Sequence, residues 1–137
     1  MNQLMLTIAG RVVDDPKAIK TKSGKSMTTV RVAFNPSRFD RKENQWVDGQ
    51  TIFYSVNTFD ALAEHVVASL KKGEPVIVYG SHRIRHWGEN EDQVDQVIDA
   101  QHVGHDLKWG TSDFTKRESA TKDEYVEAWD EVPTEEA

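Results

Sequence analysis

Arg83, Arg85 and Trp87 occupy alternate positions near the end of the stretch 74–87. Successive side chains of a β-strand point to opposite faces. If the stretch is a strand, Ser81, Arg83, Arg85 and Trp87 line one face, and Val76, Val78 and Ile84 line the other. The second face suits a core. The first sets two guanidinium groups beside an indole, and a core has little use for that row. Phosphate oxygens accept from guanidinium groups, and unpaired bases stack on flat rings. The chemistry on offer is contact with a single-stranded nucleic acid.

The same pairing of rings and cations recurs upstream. In the stretch 52–59, Phe53, Ser55, Asn57 and Phe59 share a parity opposite to Ile52, Tyr54 and Val56. Phe53 and Phe59 taken singly also read as core residues; their common parity with two polar side chains points to an exposed platform. Residues 37–50 hold Phe39 and Trp46 among Arg38, Arg41 and Lys42. That stretch is too long for a tight hairpin and too polar for a core element. Exposed aromatics there need a reason. Arg31, Arg11 and Lys108 are further candidate cations, while Trp46 and Trp109 also read as packing or assembly residues.

Other chemistry finds little support. His82 and His86, two of five histidines, would stand about 13 Å apart on a strand, too far for one ion. The chain has no cysteine, which excludes thiolate metal sites and disulfides and fits a reducing cytoplasm. No phosphate-cradling glycine loop, no supported Ser–His–Asp pattern and no pair of buried carboxylates is evident. The expectation is a binding protein with no catalytic residue, cofactor or metal. No apolar run is long enough to span a bilayer.

At 137 residues the chain is expected to form one domain with a tail. The net charge of −6 argues against a DNA partner until the chain is divided. Residues 118–137 carry eight acidic side chains and one lysine, whereas residues 1–117 are nearly neutral at +1. Where charge lies matters more for association than its total. Residues 113–137 are polar and acidic without a period that could bury a face, so they are expected to be a disordered tail.

The elements that must position the candidate residues follow from hydrophobic periodicity. Alternation predicts strands over 4–13, 27–35, 52–59, 74–87 and, less regularly, 93–103. Asp14, Asp15 and Pro16 close the first of these, and a lysine-rich connection follows with Ser23 and Gly24 marking a turn. Leu62, Ala63, Val66, Val67 and Leu70 repeat at helical spacing, with Asp60 as the expected cap and Lys71, Lys72 and Gly73 as the expected stop. Three strands, a helix and two strands is the order of an OB-fold, an all-β, five-stranded barrel with a helix between strands three and four. The barrel domain is expected over residues 1–112.

In that order and spacing the chain resembles the bacterial single-stranded DNA-binding protein family over residues 4–110. The matching landmarks are Ile8-Ala9-Gly10-Arg11, Asp15-Pro16 and Ser23-Gly24, then Leu62-Ala63-Glu64 and Leu70-Lys71-Lys72-Gly73. Val76-Ile77-Val78-Tyr79-Gly80 and Arg83-Ile84-Arg85-His86-Trp87 complete the set. The resemblance implies a homotetramer that wraps single-stranded DNA without strong sequence preference during replication, recombination and repair. It implies base stacking at four positions, matched here by Trp87, Phe53, Phe59 and Phe39, with Trp46 competing for the last. It also implies a short acidic tip ending in proline and an aromatic residue, which recruits replication and repair proteins. This chain instead ends Val132-Pro133-Thr134-Glu135-Glu136-Ala137. Trp129, Val132 and Pro133 are the tail residues suited to such a partner. The alternative reading is an OB-fold adaptor of the primosome type that mainly binds proteins.

The tail has three readings: solubilising disorder, a protein-binding segment, or a competitor for a positive groove. As a competitor, its deletion (residues 118–137) should tighten oligo-dT binding at low salt and change little at high salt, because salt screens the attraction. Equal low-salt affinities in a fluorescence titration would remove that reading.

Overall fold

Nine elements follow one another in the computed structural model, which describes residues 2–117. They are β1 (Leu4–Val12), β2 (Lys17–Lys20), β3 (Ser26–Phe34), β4 (Ser37–Asp40), β5 (Gln45–Asp48), β6 (Ile52–Phe59), α1 (Asp60–Ser69), β7 (Pro75–Trp87) and β8 (Gln93–His105). The five expected strands are β1, β3, β6, β7 and β8. They pair in the order β1-β7-β8-β6-β3, and a further β1–β3 pairing closes the ring. All pairings in this ring are antiparallel except β6 with β8. The expected OB-type barrel is therefore present.

Closure makes one face of every strand an interior. Ile8, Val12, Val30, Val32, Tyr54, Val56, Val76, Val78 and Ile98 come from all five strands and form one buried cluster with Val66 and Leu70 of the helical segment. The hydroxyls of the buried threonines Thr28 and Thr58 are satisfied: Thr28 Oγ1 donates to the Ala63 carbonyl at 2.9 Å, and Thr58 Oγ1 donates to the Thr28 carbonyl at 2.9 Å. These bonds fasten α1 to β3 and β3 to β6 where an apolar residue would leave carbonyls less well paired.

Several local expectations are revised. The lysine-rich connection contains β2, an exposed edge strand paired with β3, and lysines on an edge discourage further pairing. Within residues 37–50, β4 and β5 form a separate hairpin turned at Asn44, whose φ is 52°. Asp60 does not cap α1. Phe59 takes the N-cap position with no side-chain bond, and Asp60 is itself left-handed at φ 58°. Lys71 and Lys72 lie beyond the helix, which ends at Leu70 with its N–H on the Val66 carbonyl.

The irregularity of β8 is a bulge. Tyr79 pairs with His102 but Gly80 pairs with Ala100, so Gln101 has no partner across the ladder. Glycine is required at position 80, since a Cβ there would overlap the Asp99 carbonyl. A bulge bends the strand that carries it, here two residues before the β1–β7 pairing ends at Leu4–His82.

The end of that pairing overturns one core assignment. Ile84 has the parity of Val76 and Val78, yet it is 50% exposed. β1 accompanies β7 only as far as the Leu4–His82 pair, and β6 accompanies β8 from the Tyr54–Gln96 pair onward. Past those positions β7 and β8 form a two-stranded arm in which each strand pairs only with the other.

Residues 118–137, and with them Trp129, Val132 and Pro133, lie outside the described residues. Residues 113–117 are exposed and carry neither helix nor strand. Among the described residues no helix is long and apolar enough to cross a membrane.

Ile98→Ala, inside the closed ring, should cost about 2–5 kcal/mol in urea unfolding. Ile84→Ala, on the arm, should stay within about 0.5 kcal/mol of the parent. A large loss at Ile84 would mean that the arm is packed.

Candidate nucleic-acid interface

Residues paired across adjacent strands point to the same face, so the register decides which candidates meet. Ala33 pairs with Phe53, Arg31 with Ser55, Thr29 with Asn57 and Met27 with Phe59. Ser55 pairs with Val97 and Asn57 with Asp99. Ser81 pairs with Asp99, Arg83 with Val97, Arg85 with Asp95 and Trp87 with Gln93. Arg31, Phe53, Phe59, Arg83, Arg85 and Trp87 therefore belong to one continuous outer face running across β3, β6, β8 and β7.

The rings on this face are available. Phe53, Phe59 and Trp87 are 43%, 42% and 49% exposed, which rules out the core reading of the two phenylalanines. The Arg31 guanidinium lies over the Phe53 ring, 4.9 Å from its centroid, where the ring quadrupole attracts it. Beside this pair an open cleft of about 620 Å³ runs between Arg31, Phe53 and Ser55 on one side and Asp95 and Gln96 on the other.

Phe39 and Trp46 prove to be one unit. They face each other across the β4–β5 hairpin in an edge-to-face contact with centroids 5.6 Å apart, and both are exposed. The hairpin thus presents an aromatic pair held by its own geometry, and either ring has a free face. Arg11 pairs with Ala33, the neighbour of Phe53, and donates to the Gly73 carbonyl at 3.4 Å. Lys108 stands apart. It follows β8, where the Asp106 amide bonds the Pro75 carbonyl, and its ammonium sits 5.2 Å from the Trp109 ring centroid. Pro75 and Arg85 are separated by roughly 33 Å of strand, so Lys108 and the arginine row occupy opposite ends of β7.

The arginine row is not a bare line of positive charge. Arg83 Nε donates to Asp99 Oδ2 at 2.8 Å, and Arg85 donates to Asp95 Oδ2 at 2.7 Å. Sequence reasoning did not single out these carboxylates. The signal was present in the turn after Trp87: a hairpin centred on Asn90 sets Arg85 opposite Asp95 and Arg83 opposite Val97, diagonal to Asp99. Half-exposed ion pairs of this kind add little to stability because water screens them. They do fix charge. The bond from Asp99 raises the Arg83 pKa above its ordinary value. The bond from Arg85 holds the Asp95 carboxyl below its usual range, with the Trp87 indole and the charges of Arg85 and Arg31 acting the same way against a smaller desolvation.

The histidines lie elsewhere. His82 is half-buried, contacts Gln96 through Nε2 at 2.5 Å and meets Tyr54 edge-on. His105 bridges Glu74 at 3.1 Å and Ser112 at 2.5 Å, which ties residue 112 back to the barrel. Among the described residues no group of three or more histidines or carboxylates is placed to hold a metal ion.

A closed OB-type barrel with exposed rings and guanidinium groups along one outer face defines an OB-fold protein with a nucleic-acid type of surface. A model of the single-strand binding protein family matches residues 1–105, and the chain belongs to that family. It is 42% identical over 112 residues to single-stranded DNA-binding protein 2 of Tropheryma whipplei, covering 82% of this chain and 74% of that one. It is 35% identical over 116 residues to single-stranded DNA-binding protein 2 of Streptomyces coelicolor, covering 83% and 58% respectively. The crystal structure of a small single-stranded DNA-binding protein from S. coelicolor superposes with a TM-score of 0.70 at 34% identity, over 81% of this chain and 99% of that one.

Because the Asp95 pKa is lower folded than unfolded, the Arg85 bond favours the folded chain fully above the unfolded aspartate value, about 3.9. That contribution is lost as pH falls through the folded value. Carboxyl carbon NMR should find Asp95 titrating below about 3.9, and Arg85→Gln should move the midpoint upward. An unmoved midpoint would show that the pair does not set the charge.

Proposed function

We propose that this chain binds single-stranded DNA without strong sequence preference, and that residues 1–112 are the binding domain. Bases stack on Phe53, Phe59 and Trp87 and on Phe39 of the β4–β5 hairpin, while Arg31, Arg83, Arg85, Arg11 and, more remotely, Lys108 neutralise phosphates. The observation that carries this reading is the continuous outer face, on which three half-exposed rings alternate with guanidinium groups. Stacking accepts any base because each has a π-face, and phosphate contacts are blind to sequence. Both properties suit a protein that covers whatever strand replication, recombination or repair exposes. Family membership and the names of the relatives support it.

The protein works as a homotetramer in the cytoplasm, at the nucleoid. Ile77, which pairs with Ala9 on the outer face of the β1–β7 ladder, is 41% exposed, apolar surface that a second copy would cover. Linked binding faces raise affinity through effective concentration. It is a binding module and not an enzyme.

The test is tryptophan fluorescence on titration with oligo-dT and with duplex DNA of equal length. Quenching by the single strand only is the expected result. Trp87→Ala should weaken oligo-dT binding by about 5- to 150-fold, the value of one stack. Trp109→Ala should change it by less than about threefold. Absence of binding to either DNA would favour the adaptor reading.

A further inference from the structure

The cations expected to meet phosphate already hold anionic oxygens. Arg83 gives Nε and a longer second bond to Asp99, at 2.8 and 3.5 Å, and Arg85 gives an Nη to Asp95 at 2.7 Å. Both carboxylates sit on β8, the strand between the β7 arginines and the Phe53 platform, and Asp95 lines the cleft beside Phe53 and Arg31. The bulge at Gly80 lies behind the paired segment, so the register that opposes Arg85 to Asp95 is continuous from Gly80 to Trp87. An approaching strand meets guanidinium groups whose donors are partly taken and whose charge is balanced.

From this geometry we infer that Asp95 and Asp99 are affinity-setting residues: internal anions that occupy Arg83 and Arg85 until a DNA phosphate replaces them. The inference rests on the single-strand reading of the preceding subsection. It has a thermodynamic signature. A phosphate that gains an arginine releases a counterion, which makes binding fall with salt. Here the carboxylate left behind takes up a cation, which cancels part of that release. The parent's salt dependence is then shallower than its number of arginine contacts implies. Its affinity at low salt is held down, which keeps the strand exchangeable.

The exchange is physically accessible. The Arg83 and Arg85 side chains are 52% and 59% exposed, so neither is locked beneath other groups. Arginine has five donors, and partner exchange needs only rotation about the outer side-chain bonds. Carboxamides keep the shape and an acceptor oxygen while removing the charge, so asparagine isolates the electrostatic role from the packing role.

The experiment measures oligo-dT affinity of the full chain from about 50 to 300 mM salt for the parent, Asp95→Asn, Asp99→Asn and the double variant. Asp113→Asn, on the exposed segment after the barrel, controls for net charge. The double variant should bind more tightly at low salt, by about fivefold or more. Its log–log salt slope should steepen by up to about 0.7 for each arginine contact, the full release of one phosphate on a single strand. The two proteins should converge as salt rises. In an Arg85→Gln background, Asp95→Asn should give a smaller gain, since only the Arg31 charge is then left for Asp95 to offset. Unchanged or weaker binding with an unchanged slope, or an equal gain from Asp113→Asn, would overturn the inference while leaving the single-strand reading intact. Failure of the parent to bind oligo-dT would instead remove that reading and the inference with it. Thermal melts of each variant separate a folding loss from a binding loss.

Discussion

The pairing of β1 with β3 is the contact on which the rest depends. Until it forms, the five long strands make an open sheet with two equivalent faces. Once it forms, one face is enclosed and the other is left outside. Gly10 lies at this closure, and a Cβ there would stand 2.5 Å from the Ala33 carbonyl and 2.8 Å from a Val32 methyl, so the close approach needs glycine. The valine and isoleucine set of every strand then has one place to go. The aromatic and cationic set is held outside by the pleat and needs no further device to stay there.

Within that frame the strand lengths divide labour. Where β1 and β6 accompany β7 and β8, parity sorts core from surface. Beyond the Leu4–His82 and Tyr54–Gln96 pairs, the arm has surface on both sides, and parity sorts one solvent face from another. Trp87 lies at the far end of that arm, and Phe53 lies on the barrel wall. A flexible strand of nucleic acid can follow such a spread of platforms, whereas a rigid small ligand needs its contacts gathered in one concave site.

The electrostatics of the face are those of a balanced surface. Net charge near zero in residues 1–117 arises in part because arginines and aspartates share the same sheet face. On the proposed single-strand reading, stacking then carries a larger share of the affinity than it would on a bare basic groove, and stacking releases no counterions.

The alternation of residue types was enough to place β1, β3, β6 and β7 within a residue or two, to choose the OB order, and to separate Phe53, Phe59, Arg83, Arg85 and Trp87 from the core set. A strand's period of two makes face membership a local property, so it is written in the chain. Three features are not local. The exposure of Ile84 depends on where β1 and β6 stop. The union of Phe39 with Trp46 depends on a turn at Asn44 inside a stretch without apolar alternation. The capture of Arg83 and Arg85 by Asp99 and Asp95 depends on the register of β7 against β8, which the turn and the Gly80 bulge set together. Each is a relation between segments, set by turns, strand ends and register, which residue parity within one strand does not encode.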